Sequence, residues 1–239
     1  MSEMMDIVLS RLILPMQRSR RLKHIPGIAD VASDPQYPLL ERHISKLGSD
    51  HVPSFGGAFN GGYALQQNPR EFAGLLTILK RRGSIGLYGE IGVASGGTLR
   101  AIQEQIGFTG CILLDDGLHP RANERDANIQ GFVENCHLYI GDSHSLEAKA
   151  FLQSTLGSEK LDVVMIDGDH SFEGVRADLA LLLPYCRPGS LVVFHDTVAC
   201  SGVEQVWINA NRRRVLQPLY EFVAPEKPMG IGVATVPLG

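Results

Sequence analysis

LDVVMIDGDHSFEGVRADLALLLPYCRPGSLVVFHDT, residues 161–197, is the stretch that decides the fold. It holds two apolar runs, at 163–166 and 191–194, separated by a segment whose apolar residues have helical spacing. This pattern predicts a strand, a crossover helix and a second strand parallel to the first. The two strands then end at the same edge of the sheet, where open α/β sheets bind ligands. The residues directly after the two runs are Asp167, Gly168, Asp169 and His170, and His195, Asp196 and Thr197.

The same alternation extends over most of the chain. Strands are expected at 85–89, 111–114, 137–140, 163–166 and 191–194. Helices are expected at 95–106, 122–134, 146–156, 172–185 and 203–213, and a further one begins at Asn68-Pro69 and ends at Gly83. The tail differs, because 216–223 and 231–236 read as consecutive strands and predict an antiparallel end to the sheet.

Composition limits the possible functions. The 239 residues are 44% apolar and 20% charged, which is typical of a globular protein. We expect an N-terminal extension with a possible lid at 1–65 and a ligand-binding domain at 66–239. The net charge of −4 gives no overall attraction to nucleic acid or membrane, so neither is expected as a partner. Four cysteines without CxxC spacing indicate reduced thiols and a cytoplasmic location.

A glycine-rich turn follows the first strand. Glycines at such a bend allow close approach of the backbone to a ligand, and the next helix presents free N–H groups there. Glu90 stands just before the glycines, where it would repel a pyrophosphate and attract an ammonium group. The simpler alternative is a tight strand–helix turn with Glu90 bonded to backbone amides. The candidate ligand-binding residues of the turn are Glu90, Gly92, Ser95, Gly96 and Gly97.

The next two strands also end in polar residues. Asp115 or Asp116 can accept both hydroxyls of a ribose, and the other carboxylate is then simply solvated. Gly141, Asp142 and Ser143 follow the third strand. Asp142 or Ser143 can cap the next helix, bond an adenine amine, or do both.

These stretches together resemble the class I S-adenosylmethionine-dependent methyltransferases. The similarity is greatest to a small bacterial O-methyltransferase-like subgroup that includes cephalosporin-hydroxylase-type and macrocin-type enzymes. It covers roughly Gln66 to the C-terminus and rests on GEIGVASGGTLRAI, LLDD, YIGDS, DVVMIDGDHSFEGVRADL, RPGSLVVFHDT, GVEQVW and MGIGVATV. The resemblance implies a Rossmann-like seven-stranded sheet with helices on both faces and an antiparallel last strand. It also implies an S-adenosylmethionine site that includes Asp167 and Gly168 with the turn and strand-end residues above.

The implied function is methyl transfer, with oxygen of a small molecule such as a sugar or natural product as the expected acceptor. A homo-oligomer is also compatible with the sequence. Two other classes remain open: a nicotinamide-dependent oxidoreductase, and a non-catalytic cofactor-binding module of the same fold. Glu90 and the missing third spaced glycine argue against the oxidoreductase.

A hydroxyl acceptor needs a base or a metal to take up its proton. His170, His195 and Asp167 are the candidate catalytic residues. Some members of the resembling family hold Mg²⁺ at the positions of Asp167 and Asp196, which makes these two the candidate metal ligands. Thr197 departs from the usual amide or carboxylate at the third position, and the imidazole of His195 suits softer metals. The sequence does not choose between base and metal.

Residues 52–63, VPSFGGAFNGGY, form a glycine-rich segment with three aromatic residues. We expect a lid over the cofactor, with Gln66 and Gln67 near its methionine end. The alternative is an irregular connector whose aromatic side chains pack on the core.

Overall fold

The computed structural model describes residues 22, 25–47, 63, 65–129 and 135–238. The expected lid at 52–63 therefore lies outside the described residues except for Tyr63. The helices are α1 (Ile28–Val31), α2 (Tyr37–Lys46), α3 (Pro69–Arg82), α4 (Gly97–Gln105), α5 (Arg125–Ile129), α6 (Leu146–Leu156), α7 (Phe172–Leu182) and α8 (Ser201–Arg212). The strands are β1 (Ile85–Ile91), β2 (Phe108–Asp115), β3 (Asn135–Ile140), β4 (Leu161–Ile166), β5 (Cys186–His195), β6 (Gln217–Phe222) and β7 (Ile231–Thr235).

The strands form one seven-stranded sheet in the order β3-β2-β1-β4-β5-β7-β6. The first five are mutually parallel, and β7 inserts between β5 and β6, antiparallel to both. The predicted doubly wound α/β sheet with an antiparallel last strand is therefore confirmed. The strand order reverses between β1 and β4, and this switch point is where such sheets open a crevice for a ligand.

Helices cover both faces of the sheet. Alternate residues of one strand point to opposite faces, so a strand buried on both sides is apolar throughout. Val164 and Ile166 of β4 join the core beneath α6, α7 and α8. Val163 and Met165 of the same strand join the core beneath α2, α3 and α4. This two-sided burial explains why the run at 163–166 contains no polar residue.

Two predicted elements differ from the observed ones. The segment predicted as a helix at 122–134 contains a 3-10 turn, Ala122–Glu124, followed by the short helix α5. Strand β5 begins at Cys186, well before the predicted start at residue 191, and includes Pro188 and Gly189. Its pairing with β4 shifts register between Leu161 and Val163, and Gly189, at φ +84°, accommodates the extra residues.

Helix α3 starts and stops as predicted. The Asn68 side chain caps it by accepting hydrogen bonds from the N–H groups of Arg70 and Glu71, at 3.0 and 3.4 Å. Gly83 ends it with φ at +95°. The cap fixes the direction in which the chain enters α3, directly after Gln66 and Gln67.

The remaining global features are simple. All four cysteines are free thiols. Within the described ranges, no helix combines the length and the apolar character needed to cross a bilayer.

The packing of α3 against β6 generates a stability prediction. A Cβ on Gly74 would lie 2.6 Å from Cδ1 of the buried Phe222 ring. Alanine usually stabilises a helix interior relative to glycine by roughly 0.5–1 kcal/mol. We expect the opposite sign here, with Gly74→Ala lowering the free energy of unfolding by about 1–3 kcal/mol through overpacking. Urea denaturation measures this, and Phe222→Leu in the same chain should recover most of the loss. An increase in stability in Gly74→Ala would contradict the contact.

Candidate active site

The strand ends β1, β2, β3 and β4 are held level by backbone hydrogen bonds that continue the sheet ladder. Gly92 donates to the carbonyl of Leu114, Gly141 to that of Asp115, and Asp167 to that of Ile91, each at 2.9 Å. The segments that leave these strands therefore start side by side at the carboxyl edge of the sheet.

A cavity of about 1020 Å³ opens at this edge. Its walls include most of the predicted site residues, which the topology brings together from five parts of the chain. Those that line it are Gly92, Ser95, Gly97, Asp115, Asp116, Gly141, Asp142, Ser143, Asp167, Gly168, His170, His195 and Asp196. Gly96 and Glu90 lie outside this lining: Gly96 is the left-handed N-cap of α4, and Glu90 is buried beneath the turn.

The glycine-rich turn is shaped first by its neighbour in the sheet. Gly92 has φ +87°, and a Cβ there would lie 2.0 Å from the carbonyl oxygen of Asp167. The backbone at Gly92 is therefore in close contact with the end of β4, whereas the sequence predicted such a contact with a ligand. Ala94 also has a positive φ, +48°, and its N–H donates to Oδ2 of Asp115 at 2.8 Å.

Glu90 is 1% exposed and only partly satisfied. Its Oε2 accepts a hydrogen bond from the Tyr88 hydroxyl at 3.1 Å, while Oε1 has no partner among the described residues. Burial, reinforced by the negative charge of Asp167, raises the pKa of Glu90 well above its ordinary value. The predicted bonds from Glu90 to backbone amides are not among its contacts. A buried carboxylate with a free oxygen beside a cavity is suited to a cationic ligand group.

The structure separates the two carboxylates after β2. Asp115 is buried and engaged on both oxygens: Oδ1 accepts from Arg125 Nη1 at 2.7 Å and from Gly117 N–H at 2.8 Å, and Oδ2 accepts from Ala94. Asp116 is exposed at the cavity wall, where its Oδ1 accepts from Leu118 N–H. Asp115 thus shapes the turn, and Asp116 is the more accessible of the two.

Hydrogen bonds to Asp178 of α7 hold the segment after β3 in place. Buried Asp178 accepts hydrogen bonds from Ser143 Oγ at 2.8 Å and pairs with His144 Nε2 at 3.0 Å. The hydrogen bond to Asp178 raises the pKa of His144 above its usual value. The cap of α6 is Ser145, whose Oγ accepts from Ala148 N–H at 3.0 Å, so neither Asp142 nor Ser143 fills the capping role considered from sequence.

Two aspartates and two histidines form an alternating ring at the ends of β4 and β5, here called the Asp/His cluster. His195 Nδ1 lies 3.0 Å from Asp167 Oδ1 and 3.5 Å from Asp196 Oδ2. His170 Nε2 lies 3.4 Å from each of the same two oxygens. The His195 side chain is 2% exposed and that of His170 is 41% exposed, so only His170 presents a large surface to the cavity.

Charge compensation explains the protonation tendencies in the Asp/His cluster. Burial alone would raise the pKa of Asp167, but the charge of His195 and the hydrogen bonds of both histidines outweigh it and leave the pKa lowered. Burial likewise opposes the charge on His195, yet Asp167 and Asp196 raise its pKa well above the ordinary value. The hydrogen bond to Asp167 also raises the pKa of His170.

The Asp/His cluster also has the spacing of a metal site. Ligand atoms of Asp167, His195 and Asp196 lie within 4.8 Å of one another, and so do those of His170, Asp196 and Cys200. Imidazole and thiol donors suit borderline and soft metals better than Mg²⁺. The donor set therefore differs from the all-oxygen ligands expected around magnesium.

Several cavity residues were not found from the sequence. His119 and His144 lie on irregular segments after β2 and β3, and Met229 arrives from the connection between β6 and β7. Gln66, expected near the cofactor, does line the cavity, with its Nε2 2.8 Å from His119 Nε2. Gln67 is buried and bonds Thr98 instead. The two histidines could have been found because they follow predicted strand ends. No sequence feature marked Met229 as a cavity residue.

The match to a known protein family supports this geometry. Residues 90–197 match a family model described as a methyltransferase domain. These residues include the glycine turn, the strand ends and the whole Asp/His cluster. No significant match exists among curated protein sequences.

Solved methyltransferase structures share the fold. An O-methyltransferase from Bacillus cereus in complex with S-adenosylhomocysteine is 14% identical, with a TM-score of 0.57 over 97% of this chain and 96% of that one. TomG, an O-methyltransferase from Streptomyces achromogenes in complex with S-adenosylmethionine, is 15% identical, with a TM-score of 0.56 over 97% and 95%. NodS, an N-methyltransferase from Bradyrhizobium japonicum in complex with S-adenosylhomocysteine, is 14% identical, with a TM-score of 0.55 over 85% and 100%.

Residues 90–197 match the methyltransferase-domain model, and the chain shares its fold with solved methyltransferases that were crystallised with S-adenosylmethionine or S-adenosylhomocysteine. Within the chain, residues 90–197 are the methyltransferase domain that the family model describes. The family model and the shared fold support the predicted methyltransferase class and its cofactor, and the oxidoreductase alternative finds no support. The O- and N-methyltransferases above share the fold at similar identity, so the fold alone leaves the acceptor atom open.

The Gly92 contact generates a prediction about cofactor binding. Gly92→Ala should destabilise the protein and abolish measurable binding of S-adenosylhomocysteine, because its Cβ would displace Asp167 and the end of β4. Gly107→Ala is the matched control, since Gly107 has a similar φ of +82° but no atom within 4 Å of an added Cβ. Calorimetry on both variants checks the result, and equal affinities would show that the β1–β4 approach is unimportant for the site.

Proposed function

We propose that the protein transfers the methyl group of S-adenosylmethionine to an oxygen of a small molecule. The observation that carries the proposal is the Asp/His cluster, which places a cavity-facing imidazole on the same sheet edge as the cofactor-binding turn. Nitrogen acceptors that are neutral need less help in losing a proton, whereas hydroxyls benefit from a positioned base. The near-complete overlap with two O-methyltransferases is in keeping with this proposal.

The described residues fit the cofactor. An ammonium group would compensate the unpaired oxygen of Glu90, which is buried outside the cavity lining, and exposed Asp116 can accept hydrogen bonds from the ribose hydroxyls. Asp142 and Ser143 lie at the wall where an adenine amine can be bonded. Gly168 and Ser95 complete this side of the cavity. The bound cofactor supplies an electrophilic methyl group on a sulfonium, and the protein has only to position an acceptor in line with it.

His170 is the proposed base. Its Nε2 faces two carboxylate oxygens, which holds the ring proton there and leaves Nδ1 free to accept a proton. No described residue bonds Nδ1. As the acceptor oxygen bonds the methyl carbon, its proton passes to His170 and the electrons of the broken C–S bond stay on sulfur. Asp167 orients His170 and balances its charge.

His195 has a supporting role in this proposal. Its Nδ1 faces Asp167 and Asp196, and its Nε2 is buried without a partner among the described residues. Neither nitrogen is open to an acceptor. His195 thus keeps the two carboxylates together, a role that a divalent ion would otherwise fill.

We extend the proposal to the cellular setting. The acceptor is a small molecule, and neither nucleic acid nor membrane is a partner. The free thiols support a cytoplasmic location. We assign residues 1–65 to an N-terminal extension and residues 66–239 to the catalytic domain. A homo-oligomer is compatible with this assignment, and the mass in solution tests it.

An acceptor screen with His170→Gln tests the proposal. A panel of hydroxylated sugars and phenols is incubated with methyl-labelled S-adenosylmethionine, and matched amines are included. We expect label on a hydroxyl, a fall in kcat of roughly 10²- to 10⁴-fold in His170→Gln, and unchanged affinity for S-adenosylhomocysteine. His137→Gln is the matched control, because His137 is exposed on the edge strand β3, away from the cavity. Labelled amines alone would contradict the oxygen acceptor, and intact cofactor binding without any transfer would favour the non-catalytic module.

Metal removal separates the histidine base from the Mg²⁺ alternative. We expect exhaustive chelation to leave both methyl transfer and the melting temperature unchanged, because His195 already compensates Asp167 and Asp196. Thermal unfolding with and without millimolar Mg²⁺, Mn²⁺ or Zn²⁺ provides a reading that needs no acceptor. Activity that is lost on chelation and restored by Mg²⁺ or Mn²⁺ would establish a hard-cation site, whereas restoration by Zn²⁺ alone would assign a softer metal to the Asp/His cluster.

A further inference from the structure

The connection between β6 and β7, residues 223–230, contributes Met229 to the cavity wall. Met229 lines the cavity together with Ala199 and Cys200. The carbonyl of Met229 accepts hydrogen bonds from the N–H groups of Val198 and Ala199 at 2.9 and 3.0 Å. This connection is thus bonded directly to the turn that follows Asp196.

A second bond strengthens the same link. The carbonyl of Gly230 accepts from Thr197 N–H at 3.1 Å, and Cys200 N–H donates to the carbonyl of Asp196 at 3.0 Å. Asp196 itself has a left-handed backbone, φ +61°, which is unfavourable for a non-glycine residue. Such a conformation persists only where surrounding contacts enforce it, and the connection 223–230 supplies those contacts.

Buried Glu71 holds the connection in place from α3. Its side chain is fully buried, and its Oε1 accepts from Ala224 N–H at 2.8 Å and from Met229 N–H at 3.2 Å. Its Oε2 accepts from Gly230 N–H at 2.9 Å. Asn68, the cap of α3, adds bonds from Nδ2 to the carbonyls of Glu226 and Lys227 at 3.2 and 3.3 Å. Glu71 thus binds N–H groups of the connection, and Asn68 binds its carbonyl groups.

The cost of burying Glu71 shows that this arrangement is specific. Burial raises the pKa of Glu71, and the three backbone N–H groups oppose that rise. A buried carboxylate is expensive unless its oxygens are bonded, and these bonds fix its position closely. Since the three donors lie on a connection without regular structure, a carboxylate serves here as their common acceptor.

We propose that Glu71 is a positioning residue for the acceptor side of the active site. Through residues 224–230 it sets the place of Met229 and of the turn 197–200, and with them the carboxylate of Asp196. The hydrogen bonds that Glu71 accepts all come from the connection 223–230, so its effect falls on the acceptor half. The inference rests on the proposed function for its catalytic consequence, although its structural part can be tested without an acceptor.

Hydrogen–deuterium exchange on Glu71→Gln tests the structural part. The substitution leaves one acceptor oxygen and turns an amide toward a backbone N–H. We expect exchange at Thr197, Val198 and Ala199 to accelerate about tenfold or more, since their acceptors lie on the released connection. Affinity for S-adenosylhomocysteine should stay within about twofold of the wild type, because the cofactor side is untouched. Unchanged exchange at 197–199, or a loss of cofactor affinity equal to any loss of turnover, would overturn the proposal.

Asp162→Asn is the matched control. Asp162 is also a buried carboxylate that accepts from two backbone N–H groups, those of Gly86 and Leu87, but it lies near the opposite ends of the strands. Its variant should speed exchange at 86–87 and leave 197–199 unchanged. If Glu71→Gln does not fold, Asn68→Ser keeps a helix cap while removing both bonds to the connection, and the same exchange pattern is expected.

Turnover separates this inference from the proposed function. With an acceptor from the screen, Glu71→Gln should lower kcat/KM for the acceptor roughly 10- to 100-fold while the KM for S-adenosylmethionine holds. Faster exchange at 197–199 in Glu71→Gln, combined with a wild-type protein that methylates nothing, would support the positioning role and reject the catalytic proposal. Methyl transfer that is unaffected in a Glu71→Gln protein with released residues 197–199 would reject the role of Glu71 in catalysis instead.

Discussion

The backbone hydrogen bonds that extend the ladder past β1, β3 and β4 are the constraint on which the site depends. They keep Gly92, Gly141 and Asp167 level with their neighbours, so that four loops open into a single cavity. The approach is so close that the sheet itself demands a glycine at position 92. Sheet pairing and cofactor binding are thus two consequences of one contact, and a change that disturbs the contact affects both.

Much of this edge could be predicted from sequence because it depends on local rules. Apolar runs with abrupt polar ends mark parallel strands, and parallel strands bring their ends together whatever the loops contain. The roles of Asp115 and Asp116 could not be predicted in this way. They differ because Arg125 reaches back to Asp115 across a turn, which is a tertiary contact without a sequence period. The 3-10 turn at the start of the helix predicted at 122–134 has the same origin, since Arg125 bonds Asp115 and Asn128 bonds the carbonyl of Ser95.

Electrostatics gives the site a second constraint. The Asp/His cluster places two carboxylates within reach of one another in a largely buried setting, where their repulsion must be compensated. The imidazoles of His170 and His195 compensate this repulsion. Nδ1 of the buried His195 faces both carboxylates. Thr197, which departs from the expected ligand type, is consistent with a cluster balanced by protein cations. Glu90 also carries an oxygen without a partner among the described residues, and a ligand cation would compensate it.

The cavity wall combines residues from within the range that matches the family model with residues from outside it. Residues 90–197, which match the methyltransferase family model, supply the turn, the strand ends and the Asp/His cluster. Gln66, Glu71 and Met229 come from outside that range, and β7 brings Met229 into place only because it inserts between β5 and β6. The range that matches the family model thus supplies most of the cavity wall, and segments before and after it supply the rest. Under the proposed function, we expect the acceptor preference to depend on residues around α3 and the β6–β7 connection, because both lie outside the range that matches the family model.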